Sequence, residues 1–117
     1  MKSILIVEDE HLVSWSLTKA LEKNGYCVSV ADTTERAQEC LSSARFDLVI
    51  TDVRLPSRSG YDLVSSLDPD IPVIVISSSL PPAAECSGLR NHFYLEKPFH
   101  LNDITDLVGS VLQEEAG

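Results

Sequence analysis

Near its start the chain reads Ile4-Leu5-Ile6-Val7-Glu8-Asp9-Glu10, four consecutive apolar residues followed at once by three acids. Two further apolar runs, at residues 48–50 and 73–76, have the same character, and weaker candidates lie at residues 27–30 and 93–95. None of the three strong runs alternates with polar residues. Continuous β-branched runs are typical of parallel strands that are covered on both faces. The pattern therefore predicts a central parallel β-sheet.

Helical patterns lie between these runs, with apolar residues three and four positions apart. The stripes of the first, second and last helices are Val13, Leu17, Ala20 and Leu21; Ala37, Cys40, Leu41 and Ala44; and Leu101, Ile104, Leu107, Val108, Val111 and Leu112. Either Asp32 or Thr33 can cap the second helix. A short helix is expected over residues 60–67. The next one, within residues 80–92, is expected to be short or irregular, because Pro81 pushes the residue before it out of the α region.

Strands and helices alternate along the chain, which predicts right-handed crossovers, helices on both faces of the sheet and an α/β doubly wound fold. The 117 residues suffice for a single domain, 1–117, with its own core. Only residues 113–117 look like a tail, which could link to an output domain that the sequence does not contain.

The charge balance argues against several classes of function. The chain has 18 acidic and 9 basic residues and a formal net charge of −9, whereas nucleic acids and anionic membranes need clustered Lys and Arg. No apolar run approaches the roughly 18–20 residues of a membrane span, and the first run is too short for a secretory signal. Cys27, Cys40 and Cys86 are widely spaced and fit a reducing cytosol. We therefore expect a cytoplasmic domain that binds neither nucleic acid nor membrane.

Chemistry-bearing residues follow four of the predicted strands. Glu8 and Asp9 follow the first strand, Asp52 ends the third, Ser77 the fourth and Lys97 the fifth. The carboxyl ends of parallel strands share one edge of the sheet, where doubly wound proteins bind their ligands. If the first and third strands are neighbours, the three carboxylates meet, and oxygen ligands with room for water suit Mg²⁺ or Mn²⁺. A cation, an ammonium and a hydroxyl would neutralise a phosphoryl group while one carboxylate attacks phosphorus.

Other chemistries find less support in the sequence. Neither GxGxxG nor GxxxxGKS/T occurs, which disfavours a nucleotide or flavin binder of the same topology. None of the three histidines lies at a strand end, where a Ser/His/Asp triad would need one. A structural alternative stays open for Glu8, Asp9 and Glu10, which could simply complement the dipole of the helix that follows.

Five segments in order resemble the receiver domain of bacterial two-component response regulators, the CheY-like fold. They are residues 4–10 (ILIVEDE), 47–56 (DLVITDVRLP), Gly60, 72–77 (PVIVIS) and 94–99 (YLEKPF). The resemblance covers nearly the whole chain and implies a flavodoxin-like (βα)5 sandwich with strand order 2-1-3-4-5. It also implies a phosphorelay switch, in which a sensor histidine kinase or a histidine phosphotransfer protein passes a phosphoryl group to an aspartate in the presence of Mg²⁺.

The resemblance also assigns the metal site, residue by residue. Asp52 would be the phosphoacceptor and a metal ligand, and Asp9 would bind Mg²⁺, or Mn²⁺, directly. Glu8 would act through water, and the Arg54 backbone carbonyl would be a further ligand. Glu8 departs from the family pattern, in which Asp is commoner at this position, and its longer arm shifts the carboxylate by about one bond while Mg²⁺ demands tight geometry.

The same resemblance assigns a switch. The Ser77 hydroxyl would move to the phosphoryl oxygen, Tyr94 would turn inward with it, and Lys97 would form an ion pair with the phosphoryl group. Arg54 and Ser79 would border the path of the water that hydrolyses the acyl phosphate and ends the signal. No other enzymatic activity is implied.

Leu12 and Trp15 lie off the apolar stripe of the first helix, so both are expected at the surface. Single exposed apolar residues are common and need no function. The resemblance adds a second interpretation, in which these residues form part of the docking surface for the phosphodonor protein. The altered region at residues 80–92 argues against an ordinary phosphorylation-induced dimer through the face to which it belongs, although a homodimer stays one of the open alternatives. It also leaves open a pseudo-receiver, which would be a phosphorylation-independent protein-interaction module.

Overall fold

The computed structural model describes residues 2–52, 71–77, 92–96 and 99–116. The strands in these residues are β1 (Ser3–Val7), β2 (Cys27–Ala31), β3 (Leu48–Asp52), β4 (Val73–Ser77) and β5 (His92–Glu96), and the helices are α1 (His11–Lys23), α2 (Thr34–Ser43) and α3 (Leu101–Ala116). The helices expected over residues 60–67 and within 80–92 lie outside the described residues, except that the last of these positions begins β5.

The five strands form one parallel sheet in the order β2-β1-β3-β4-β5, which confirms the predicted flavodoxin-like topology. In its register Ile4 lies opposite Leu48 and Val7 opposite Thr51. Asp52 in turn lies opposite Ile76. The chain adds β2 on one side of β1 and β3 on the other, so the strand order reverses between β1 and β3. Ligands of such sheets bind outside the carboxyl ends of the strands at this reversal.

Apolar side chains pack on both faces of the sheet, which explains the continuous apolar runs. One face packs against α1 and α3 through a buried cluster that includes Ile6, Ile50, Leu17 and Ile104. The other face carries a second buried cluster, in which Leu5, Val7, Val49 and Val75 meet Ala37 of α2 and Phe46. β1, β3 and residues 73–76 of β4 are therefore buried, as is typical of strands covered on both faces, whereas β2 at one edge of the sheet is mostly half-buried or exposed.

The helix ends follow from local chemistry. Thr33, not Asp32, caps α2, since the Arg36 N–H donates to its hydroxyl oxygen at 3.1 Å. Gly25 follows α1 with a φ of 91°, a left-handed conformation that glycine adopts without steric cost, and its N–H donates to the Glu22 carbonyl.

Three expectations about the helices differ from the structure. Ala44 does not extend the buried stripe of α2 but follows the helix in an extended conformation and is exposed. Leu101 is 42% exposed at the start of α3, because the side chains that pack on the sheet begin one turn later at Ile104. The last helix also continues through Ala116, past the end of its apolar stripe. In the part of the chain that the structure describes, no helix is long and apolar enough to span a membrane.

Candidate functional site

Two buried carboxylates lie at the reversal point of the sheet. Glu8 directly follows β1 and is 1% exposed, and Asp52 ends β3 and is 6% exposed. The Glu8 N–H donates to the Ala31 carbonyl at 3.0 Å, which continues the β1–β2 ladder by one residue. Since Val7 and Thr51 are opposite in the register, Glu8 and Asp52 occupy the next positions of neighbouring strands. The structure thus brings together two of the three carboxylates that the sequence placed at this edge.

A third carboxylate in this cluster belongs to Glu10. One carboxylate oxygen each of Glu8, Glu10 and Asp52 lies within 4.8 Å of the other two. Asp9 is exposed and is not a member of this group, whereas Glu10 is a member although its sequence position predicts no role in metal binding. The sequence spacing of Glu8 and Glu10 could have indicated that they lie together, because side chains two residues apart in an extended chain point to the same side.

The turn between β1 and α1 orients these acids. Glu10 stands at the N-cap position of α1 in an extended conformation, with φ −87° and ψ 109°, and its side chain makes no capping hydrogen bond. Its N–H donates to a carboxylate oxygen of Glu8 at 3.2 Å. Its carbonyl accepts the N–H of Ser14, the first hydrogen bond of α1. The backbone of one residue therefore starts the helix and holds the Glu8 carboxylate in place.

The donor set suits a hard divalent cation. Mg²⁺ and Mn²⁺ prefer carboxylate, carbonyl and water oxygens, and Mg²⁺ usually keeps several of its waters. Glu8 and Asp52 are buried while Glu10 is exposed, so the cluster has one protein side and one water side. Three carboxylates at this separation also repel one another, and a bound cation lowers that repulsion.

The remaining predicted site residues are described in part. Ser77 is the last residue of β4, next to β3, and Tyr94 is the middle residue of β5, opposite Val75. These are backbone positions at and below the carboxyl edge of the sheet. Arg54, Ser79 and Lys97 lie outside the described residues.

A second candidate surface lies on the side of α1 that faces away from the sheet. Leu12 is 82% exposed and Trp15 61%, as the apolar pattern predicted. Beside Trp15 runs a groove of about 360 Å³ between α1 and α3, which we call the α1–α3 groove. Its lining includes Trp15, Lys19 and Lys23 of α1 and Leu101, Asn102 and Thr105 of α3. The Lys19 ammonium lies 5.8 Å from the centroid of the Trp15 ring, within cation–π range.

The fold and the acidic edge together define a response regulator receiver domain. The model of that family, the response regulator receiver domain, matches residues 4–109, and the chain belongs to it. Among curated relatives, the chain is similar to the response regulator receiver protein CpdR of Brucella abortus, with 34% identity over 96% of this chain and 98% of CpdR.

Solved structures agree with this assignment. A CheY-like receiver domain protein from Methanospirillum hungatei is 26% identical, with a TM-score of 0.89 over 100% of this chain and 99% of that one. TrrA from Thermotoga maritima, solved in complex with Mg(2+)-BeF, is 25% identical, with a TM-score of 0.81 over 95% of this chain and 99% of that one.

Membership of the family carries general properties. The chain is a receiver domain of the two-component response regulators. Receiver domains bind Mg²⁺ through an acidic pocket, and this structure has an acidic cluster of Glu8, Glu10 and Asp52. Receiver domains also interact with histidine kinases or phosphotransfer proteins.

Proposed function

We propose that the chain is a phosphoacceptor switch, in which Asp52 receives a phosphoryl group from a phosphohistidine in the presence of Mg²⁺ or Mn²⁺. The observation that carries this proposal is the position of Asp52. Its carboxylate ends β3 at the reversal point of the sheet, is 6% exposed, and lies within 4.8 Å of two other carboxylates. The similar TrrA was solved in complex with Mg(2+)-BeF, which supports Mg²⁺ as a ligand of this chain.

The reaction is a displacement at phosphorus. A carboxylate oxygen of Asp52 attacks, the phosphorus–nitrogen bond to the donor histidine breaks, and the imidazole leaves with the electron pair. The product is an acyl phosphate. A bound divalent cation would neutralise phosphoryl oxygens as the negative charge shifts between donor and acceptor. Glu8 and Asp52 would help to hold the cation, and the resemblance adds Asp9 and the Arg54 carbonyl.

The conformational part of the proposal uses Ser77, Tyr94 and Lys97. Ser77 is the last residue of β4, the strand that pairs with β3 and Asp52, and the resemblance assigns its hydroxyl to the phosphoryl oxygen. Lys97 would pair with that group, and Tyr94 would follow the movement of Ser77. Water that passes Arg54 and Ser79 would hydrolyse the acyl phosphate, so the chain would catalyse only its own phosphorylation and dephosphorylation.

The proposed phosphodonor is a sensor histidine kinase or a histidine phosphotransfer protein in the cytoplasm. It would dock on the exposed face of α1 at Leu12 and Trp15, and the α1–α3 groove extends that face. The two lysines of the groove lie on a chain with a net charge of −9, which favours a partner segment with acidic residues around an apolar anchor. A homodimer through residues outside the described part is compatible with this mode of docking.

The test is intact mass after incubation with Mg²⁺ and acetyl phosphate. We expect one added phosphoryl group, no addition with EDTA, and none in Asp52→Asn. Asp106→Asn, which removes an exposed carboxylate from α3, is the matched control and should be modified like the wild type. A folded wild-type protein that takes up no phosphoryl group would contradict the proposal and favour a pseudo-receiver, a module for protein interaction alone.

A further inference from the structure

We propose that Lys19 and Lys23 in the α1–α3 groove select the phosphodonor protein by its charge. The donor segment that fits the groove is acidic and carries an apolar side chain, which contacts Trp15 and Leu101. A donor with a basic segment at this place is rejected by the same two lysines. This inference rests on the proposed function, because it names the residues that decide which donor the chain accepts.

The first argument is the charge of the groove. Among the described residues that line it, the charged ones are Lys19 and Lys23, and both are exposed. The chain as a whole has 18 acidic and 9 basic residues, so a groove lined by two cations and no carboxylate differs from its average surface. Charges of opposite sign on two partners speed their encounter and disfavour partners of the wrong sign. An acidic donor segment is therefore the complement of this groove.

The second argument is that the chain does not neutralise these lysines itself. Within the part of the chain that the structure describes, neither Lys19 nor Lys23 makes an ion pair, whereas Arg36 pairs with Asp32 at 3.4 Å. The two lysines are four residues apart in α1, so they share one face of the helix and repel each other. Carboxylates of a donor would pair with both ammonium groups and relieve this repulsion.

The third argument is the apolar part of the groove. Trp15 is 61% exposed and Leu101 42%, and they line the groove from two different helices. The Lys19 ammonium lies 5.8 Å from the centroid of the Trp15 ring, so a positive charge stands directly beside the aromatic surface. Protein interfaces are commonly centred on an aromatic anchor with polar groups around it. The groove has both parts of such an interface.

The fourth argument is position. Trp15 lies four residues after the start of α1, which is about 6 Å along the helix axis. Because α1 begins next to the acidic edge, a donor seated in the groove is also close to Asp52. A second copy of the chain fits less well, since a two-fold interface through the groove would bring the lysines of both copies together. The net charge of −9 likewise opposes an anionic membrane.

The experiment measures phosphoryl transfer to the full chain from the histidine kinases and histidine phosphotransfer proteins of the same organism, each phosphorylated beforehand. The double variant Lys19→Glu/Lys23→Glu reverses the charge of the groove, and Lys19→Gln/Lys23→Gln removes it. Arg36→Glu/Arg45→Glu is the matched control, since both arginines are exposed outside the groove and the net charge changes equally. Rates are measured at limiting receiver concentration in low and high NaCl, and acetyl phosphate serves as the small donor.

We expect the Glu double variant to lower the transfer rate from the preferred donor about tenfold or more at low ionic strength, within the range by which complementary charge raises association rates. The Gln double variant should lower it less. High NaCl should narrow both differences, because salt screens exposed charges. The arginine control should behave like the wild type, and acetyl phosphate should modify all variants equally. Far-UV circular dichroism verifies that each variant is folded.

Equal losses in the lysine and arginine variants would overturn the inference, since the net charge alone would explain them. The inference alone also fails if acetyl phosphate modifies the wild type while the Glu double variant keeps the wild-type rate with the preferred donor, or while no donor protein of the set transfers at all. If the folded wild type takes up a phosphoryl group neither from these proteins nor from acetyl phosphate, the proposed function fails together with it.

Discussion

At the scale of single residues, two glycines differ in backbone conformation. Gly25 ends α1 with a φ of 91°, where an L side chain is strained, whereas Gly109 lies inside α3. A Cβ added at either position would meet no atom within 4 Å. The effect of a methyl group at each site therefore comes from the backbone conformation and not from packing.

We expect the same substitution to have opposite effects at these two sites. Gly25→Ala should lower the free energy of unfolding by about 1–2 kcal/mol, the cost of a left-handed conformation in an L residue. Gly109→Ala should raise it by about 1 kcal/mol, because alanine loses less backbone entropy in a helix. Urea denaturation of the wild type and both variants measures the two changes, and each serves as control for the other. If both substitutions raised the free energy of unfolding, or both lowered it, the result would contradict this explanation.

At the same scale, burial of the acidic edge has an energetic cost that the proposed cation and phosphoryl site would explain. Ionised carboxylates as buried as Glu8 and Asp52 lose hydration, which ordinary structural positions avoid. Water is partly excluded from this site, and electrostatic interactions are stronger where water is excluded. Burial would therefore strengthen the binding of a cation or of a phosphoryl group that several ligands hold. Burial of these two acids at a strand reversal is therefore more consistent with a ligand site than with a simple helix-capping role.

At the scale of secondary structure elements, α1 has one face that packs on the sheet and one apolar face that is exposed to solvent. Leu17 and Leu21 are fully buried against the sheet, and Leu12 and Trp15 point away from it. Three of the four large apolar side chains recorded as exposed in the described residues, those of Leu12, Trp15 and Leu101, belong to α1 or to the start of α3. Their concentration on two helices distinguishes this face from the scattered apolar residues of ordinary surfaces.

We expect Trp15→Ala to weaken phosphotransfer from the cognate donor protein. A buried tryptophan anchor in an interface contributes about 2 kcal/mol or more, which corresponds to roughly thirtyfold in affinity. Phosphorylation by acetyl phosphate should not change, since a small donor needs no docking surface. Transfer rates measured at limiting receiver concentration with both donors test the prediction.

Val30→Ala is the control for this experiment, because it shortens an exposed apolar side chain on β2, outside the α1–α3 groove. It should leave transfer from both donors unchanged. Equal losses with the protein donor and with acetyl phosphate in Trp15→Ala would refute the docking role and indicate a disturbed acidic pocket.

At the scale of the whole molecule, the net charge of −9 opposes the folded state, and part of it is concentrated at one edge of the sheet. Folding assembles this edge from β1, the turn after it and β3, so the unfolded chain has no equivalent site. A ligand that binds only the folded state stabilises it by mass action.

We therefore expect Mg²⁺ to stabilise the protein against unfolding. At ten times its dissociation constant the gain should be about 1.4 kcal/mol, which raises the melting temperature by about 5 °C in a domain of this size. Thermal unfolding in Mg²⁺ and in EDTA measures this gain. NaCl at matched ionic strength is the control, since it screens charge without binding to the site. An equal rise in NaCl would indicate screening of the net charge and no specific cation site.

The sequence by itself determined most of the architecture. Uninterrupted apolar runs predicted β1, β3 and β4 to within two residues, because coverage on both faces leaves a local and contiguous pattern, and two weaker patterns predicted β2 and β5. Glu8, directly after the first run, and Asp52, two residues after the run at 48–50, were correctly placed at one edge, since the ends of parallel strands coincide. Together with the resemblance, this was enough for the family and for the strand order.

Other features depended on the tertiary structure. Whether Asp32 or Thr33 caps α2 depends on which side chain the turn aims at the Arg36 N–H, and both residue types suit the position. Leu101 continues the apolar spacing of α3, yet only the packing of that helix on the sheet leaves it exposed beside Trp15. The sequence supplies three consecutive acids, but only the tertiary structure shows that a carboxylate oxygen of Glu10 lies within 4.8 Å of oxygens of Glu8 and Asp52. The local sequence determines whether a segment forms a helix or a strand. The direction of the side chains at the ends of that segment depends instead on packing against residues that are distant in the sequence.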